Sequence, residues 1–148
     1  MSTRANILVQ SRDEKILLYR HCDGYPGSVI PSLQAAFRLS DGNWEAGRPY
    51  KAASYIIAEG VRPEGGAPYT AYEALPYLEL HGDIEYYYQV TCIAGLGDSP
   101  SLRRLSKWVI DVFAVGCSEE HTLLGTGEAE DGDLLKRVLA AEEQDKED

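Results

Sequence analysis

Residues 4 to 22 read RANILVQSRDEKILLYRHC, and this stretch limits the fold more than any other. Ala5, Ile7 and Val9 alternate in the run 4 to 11, and Ile16 and Leu18 alternate in the run 15 to 22. A period of two is that of a strand. Ser11 to Glu14, between the runs, is polar and long enough only for a tight reversal, so the two strands form an antiparallel hairpin. Leu17, Tyr19 and His21 then share one side of the second strand, while Ile16, Leu18 and Arg20 share the other. Both sides have apolar members, so each face of this strand is expected to be covered over part of its area.

After the turn DGYPG the period changes. Val29, Ile30, Leu33, Ala36 and Phe37 recur at helical spacing, with Ser28 expected as N-cap and Pro31 in the first turn. Ser40 to Arg48 is read as a loop. A second helix is expected from Pro49 to Glu59, with an apolar face from Tyr50, Ala53, Ile56 and Ile57 and with Gly60 as its stop. Residues 62 to 70, RPEGGAPYT, read as an irregular connector.

Alternation then returns. Tyr77 to Leu80 and Ile84 to Ile93 are expected as strands flanking a tight turn, His81-Gly82-Asp83, in which Gly82 would supply a positive φ. The longer strand places Ile84, Tyr86, Tyr88, Val90 and Cys92 on one face, with Glu85, Tyr87, Gln89 and Thr91 on the other. Residues 94 to 101 read as another loop. Lys107 to Cys117 is the most apolar run and is expected as a central strand, Gly125 to Gly132 as an acidic linker, and Leu134, Leu135, Val138 and Leu139 as the apolar side of a closing helix. The order β-β-α-α-β-β-β-α predicts an α+β domain: an antiparallel sheet of about five strands with helices mainly on one face. Residues 1 to 124 would form this domain, followed by the linker and helix of 125 to 148.

Charge and cysteine usage narrow the function. The chain of 148 residues carries a net charge of −10. Residues 128 to 148 hold nine acids against Lys136, Arg137 and Lys146, so more than half of the excess lies there. No basic stripe exists to hold a phosphate backbone, which argues against direct nucleic-acid binding. The acidic end reads as a solvated tail, or as a face that docks on a basic protein surface. Cys22, Cys92 and Cys117 are odd in number and lack C-x-x-C spacing, which argues against a disulfide framework or a structural zinc site. Cys92 and Cys117 are read as small buried hydrophobes. MSTRANILVQ lacks the apolar run of a signal peptide, and no later segment approaches the roughly 20 apolar residues of a bilayer span. A soluble protein of the cytoplasm, without a membrane partner, is expected.

Two His-x-Asp segments carry the chemistry. His21 and Asp23 lie at the end of the second strand, and His81 and Asp83 repeat the spacing, with Glu85 two residues on. If the segments are neighbours, two imidazoles and up to three carboxylates could serve a divalent metal or acid–base catalysis of phosphodiester hydrolysis. The plainer reading is turn chemistry, since Asp23-Gly24 and Gly82-Asp83 are ordinary turn pairs. Ten of the fourteen aromatic residues are Tyr, and Tyr86-Tyr87-Tyr88 places Tyr87 opposite its neighbours. An exposed tyrosine row beside Arg20 could stack a base or nucleotide, or the tyrosines could be cross-strand pairs. Motifs for nucleoside triphosphates, dinucleotides, serine hydrolysis and helical zinc sites are lacking.

The segments S-T-R-A-N-I, Y-R-H-C-D-G-Y-P and H-G-D-I-E-Y together resemble a family of small uncharacterised proteins encoded by bacteriophages and prophages. Members usually read Y-x-H-W-D-G-Y-P, so Cys22 departs at the aromatic position. The similarity runs from Ser2 to about Val90. It implies a phage setting. It also implies that Arg4, His21, Asp23, Gly24, Tyr25 and Pro26, with His81, Gly82, Asp83 and Glu85, belong to one centre.

The resulting expectation is a non-enzymatic viral accessory protein that binds or inhibits a host component, either a defence protein or its nucleotide signal. Arg20, His21, Asp23, Tyr25, His81, Asp83, Glu85 and Tyr87 are the candidate ligand-contact residues, and no cofactor or metal is assigned. The alternative is a metal-dependent hydrolase of a nucleotide or phosphodiester using His21, Asp23, His81 and Asp83. A self-associating structural protein is a third reading.

Overall fold

The computed structural model describes residues 3–12, 14–39, 48–64, 67–93, 107–118 and 120–147. The elements are strands β1 (Ala5–Gln10) and β2 (Lys15–Arg20), helices α1 (Pro26–Leu39) and α2 (Pro49–Glu59), strands β3 (Val61–Glu64), β4 (Ala67–Thr70), β5 (Tyr72–Leu75), β6 (Tyr86–Ile93), β7 (Lys107–Val115) and β8 (His121–Glu128), and helix α3 (Leu134–Glu147). The fold is α+β. A six-stranded sheet runs in the order β5-β2-β1-β6-β7-β8, and β3 and β4 form a separate ribbon. All pairs in the main sheet are antiparallel except β1 with β6.

The opening hairpin forms as expected, closed by a hydrogen bond from Ser11 N–H to the Glu14 carbonyl. Its alternation sets the layers. Ala5, Ile7, Val9 and Leu18 point into a core shared with Tyr88, Val90, Trp108, Ile110 and Val112 from β6 and β7. Val29, Ile30, Leu33 and Ala36 of α1, Ala52, Ala53 and Ile56 of α2, and Leu134 and Val138 of α3 close that core from the helical side. Removing these apolar side chains from water is the main stabilising term for the layers, at about 1.5–3 kcal/mol for each large side chain.

Several local readings change. α1 begins at Pro26, and the Tyr25 carbonyl accepts from both Ser28 and Val29 N–H, so Tyr25 rather than Ser28 stands at the helix entrance. α2 has the expected limits, but Tyr50 is exposed and Pro49, Ala52, Ala53 and Ile56 form the buried side. The Pro- and Gly-rich stretch after α2 is the β3–β4 ribbon, not an irregular connector. The expected strand from Tyr77 to Leu80 is absent. The strand before the second His-x-Asp segment is β5, which pairs with β2 instead of forming a hairpin with β6. This leaves residues 76–85 to cross from one sheet edge towards β1, where β6 joins in parallel.

The expected acidic linker is the largest correction. Gly125 and Gly127 belong to β8, and α3 packs beside them with Leu134 and Val138 wholly buried. A Cβ on Gly125 would lie 2.8 Å from Val138 Cγ2, so the missing side chain is what lets the helix approach the strand. Tyr86 on β6 donates its hydroxyl hydrogen bond to Glu142 on α3. Cys92 is buried as expected, whereas Cys117 is exposed at the turn after β7. The loops read at 40–47 and 94–101 lie outside the described residues.

Candidate binding surface around Tyr19

With the helices on one face, the alternate residues of each strand form the second face. Strand registers align Glu73, Tyr19, Asn6, Tyr87, Phe113 and Leu123 in one row across β5, β2, β1, β6, β7 and β8. Asn6 is fully buried in the middle of this row. Its amide Nδ2 donates to the Leu18 carbonyl at 3.0 Å, and its Oδ1 accepts from His81 N–H at 2.8 Å. One side chain therefore fastens the 76–85 segment to the sheet.

The first question posed by the sequence is thus answered by the backbone. Gly24 N–H donates to the Thr3 carbonyl at 2.8 Å and Glu85 N–H to the Arg4 carbonyl at 2.9 Å, so the two His-x-Asp segments bond to consecutive residues ahead of β1. Tyr19 lies between them. Its ring stacks on His81 with centroids 4.1 Å apart and planes inclined by 16°. Its hydroxyl shares a 3.0 Å hydrogen bond with His21 Nδ1. Tyr77 meets the same histidine at 6.2 Å in a tilted contact. Arg4 Nη1 donates to Asp83 Oδ2 at 2.6 Å, a partly exposed pair of the kind that adds about 0–1 kcal/mol to stability.

The turn at His21 to Tyr25 is built differently from the expected one at His81 to Asp83. Asp23, at φ 56, is the described non-glycine residue that enters the left-handed region. Gly24 is needed for closeness instead, because its missing Cβ leaves room for Ala5 and the Thr3 carbonyl. Its own carbonyl accepts from the buried Tyr88 hydroxyl at 2.7 Å. Gly82 does not adopt the positive φ expected from the sequence, and a Cβ there would meet nothing within 4 Å.

Not all candidate contact residues join this surface. Arg20 points to the helical side, where Nη1 donates to the Tyr72 hydroxyl at 2.8 Å and the guanidinium lies 5.0 Å from that ring centroid. Tyr72 in turn donates to Ser32 on α1. Tyr87 shares the sheet face of Tyr19 but is buried, stacked on Phe113 at 5.7 Å and close to His121 at 5.4 Å. The exposed tyrosine row beside Arg20 therefore does not form, and Tyr87 takes the alternative role of a cross-strand partner, opposite Phe113. Asp23, Tyr25 and Glu85 are exposed on the two segments, and Tyr25 and Glu85 also fix them through the backbone interactions above.

Two features define what the cluster can do. Among the described residues, no group of three or more His, Cys, Asp or Glu side chains is arranged to hold a metal ion, and Asp83 is turned to Arg4. Arg4 Nε and His81 Nδ1 are buried without a hydrogen-bond partner among the described residues, a cost of roughly 1–3 kcal/mol for each such group. Partial burial raises the proton affinity of the Tyr19 phenol, the Asp83 carboxylate adds to the rise, and Arg4 opposes it. Because the folded value lies above the ordinary one, this group's contribution to stability is present below the ordinary tyrosine range and is lost as pH climbs through the folded value. Asp83→Asn removes the larger raising charge while burial, Glu73 and the opposing Arg4 remain. Tyr19 should then ionise at lower pH than in the parent protein, a shift readable by tyrosine ring-carbon NMR titration. An unchanged or higher value would show that the carboxylate exerts no field on the phenol.

Tyr19, Asn6 and Tyr77 were not among the candidate contact residues drawn from the sequence. Alternation did place Tyr19 on the side of His21, and a carboxamide inside the apolar run ANILV was the available sign of Asn6. Compared with models of known families, with curated proteins and with solved structures, the chain matches none.

Proposed function

We propose that this chain is a viral accessory protein that binds a host component without transforming it, and that the Tyr19 surface makes the contact. The observation that carries this reading is how the reactive groups are engaged. His21 bonds Tyr19, His81 stacks on it, and Asp83 pairs with Arg4. These groups support one another as a rigid aromatic platform rather than converging on a common point where a substrate atom or ion would sit. Such platforms suit recognition, because tyrosine offers a large contact area with few rotatable bonds. The motif resemblance supports the viral setting, and a bacterial defence protein or its nucleotide signal fits as the host component.

The test combines binding with turnover. Purified protein is titrated against host defence proteins and against cyclic dinucleotides with magnesium or manganese present, and the nucleotides are then chromatographed. Stoichiometric binding of a host component is expected, with every nucleotide recovered unchanged, and Tyr19→Ala should weaken that binding by about 30-fold, the loss of a typical hot-spot tyrosine. Divalent-dependent nucleotide turnover, abolished by His21→Ala or His81→Ala, would replace this reading with that of a metal-dependent hydrolase.

A further inference from the structure

We infer that the Tyr19 surface takes a cationic protein segment, one presenting arginine or lysine side chains, and rejects nucleotides and other anions; this rests on the binding reading above. The apolar part of the surface is exposed. Tyr77 and Leu78 stand at 47% and 53% exposure on the segment that Asn6 fastens to the sheet, directly before His81. Exposed aromatic and aliphatic side chains on an anchored segment are the usual centre of a protein contact.

Charge selects the occupant. Asp23, Glu73, Glu79, Asp83 and Glu85 are all exposed on β5 and the two His-x-Asp segments. Arg4 is the cation within the cluster, and it is already bound to Asp83. Glu73 stands opposite Tyr19 in the β2–β5 register, and the Asp83 and Glu73 carboxylates both raise the proton affinity of the phenol. A phosphate approaching Tyr19 therefore meets like charge, whereas a guanidinium can lie over an exposed tyrosine ring while its edge hydrogen-bonds a carboxylate. Complementary charge of this kind also speeds encounter and suppresses anionic competitors. The net charge of −10, more than half of it in residues 128 to 148, has the same sign.

Intact protein is titrated at low salt with an acetylated, amidated tetra-arginine peptide and, in parallel, with ATP at matched ionic strength, following aromatic ring and backbone amide signals by NMR. The peptide should shift Tyr77 and His81, and ATP should leave both unmoved. Tyr77→Ala, at an exposed position that tolerates truncation, should weaken peptide binding several-fold, as should the Glu73→Gln/Glu79→Gln pair, with unchanged circular dichroism. ATP moving these rings would overturn the inference, as would peptide shifts confined to Glu143 and Asp145 of α3, or no shift at all. A host complex indifferent to Tyr77→Ala and to the carboxylate pair would overturn it while leaving the binding reading intact. Metal-dependent turnover of nucleotide would overturn both.

Discussion

Gly24→Ala is expected to destabilise the protein by about 2–4 kcal/mol, combining overpacking against neighbours with a disturbed buried hydrogen bond. The added Cβ would lie 2.8 Å from Ala5 Cβ and 2.9 Å from the Thr3 carbonyl. Neither neighbour can swing away, since one is a methyl on a central strand and the other is backbone. Relief requires the turn to move off β1. That motion stretches the 2.8 Å bond from Gly24 N–H to Thr3 and the 2.7 Å bond from Tyr88 to the Gly24 carbonyl. Gly82→Ala supplies the matched control, because its Cβ enters open space, and it should change stability by no more than about 0.5 kcal/mol. Urea unfolding of the two variants beside the parent measures the difference. Equal midpoints would mean that the first His-x-Asp turn is not seated against β1 as described.

Asn6→Leu should cost about 2–4 kcal/mol, because it leaves one buried and one part-buried backbone group without the partner they have in the parent chain. The substitution keeps the branching of the side chain, in a bulkier form, and removes the acceptor for His81 N–H and the donor to the Leu18 carbonyl. The sheet itself does not depend on this amide, as β1 pairs with β2 and β6 through the main chain. Amide exchange in those strands should therefore keep its protection pattern. The nuclear Overhauser contacts between the Tyr19 and His81 rings should weaken or vanish, since the segment carrying His81 loses its fastening. Retention of those contacts at parent strength would assign the segment's position to other interactions. The two substitutions attack the surface from opposite sides, one through the turn and one through the crossing segment. Their effects on urea midpoint should be close to additive unless the segments support each other through Tyr19.

Local patterns in the chain were sufficient wherever a periodicity had a single interpretation. The hairpin of β1 and β2, the limits of α2, the alternation of β6 and the apolar strand β7 all follow from side-chain spacing, and the structure carries each of them. Glycine was where local reading failed. In β8 it was taken as the mark of a linker, yet its role is to admit α3, and that requirement comes from Val138, thirteen positions beyond Gly125. Gly82 was assigned the strained turn geometry, but the left-handed residue is Asp23. Turn composition records that the chain reverses; the neighbour that comes close to the turn belongs to a distant part of the sequence.

The same division holds for the candidate surface. Sequence alone identified two His-x-Asp segments and, through alternation, a strand side shared by Tyr19 and His21. It could not establish that β5, rather than a strand hairpinned to β6, pairs with β2, nor that the connection from β5 passes over Asn6. Those facts depend on strand order, which is set by which long-range pairing buries the most apolar surface and satisfies the most backbone groups. Arg20 and Tyr87 were grouped with the histidines because they are close in sequence or type, and the sheet separated them by direction and burial. Periodicity determined which side each residue faces; only the tertiary arrangement decided which of those sides meet, because contacts between segments some sixty residues apart are written in no local pattern.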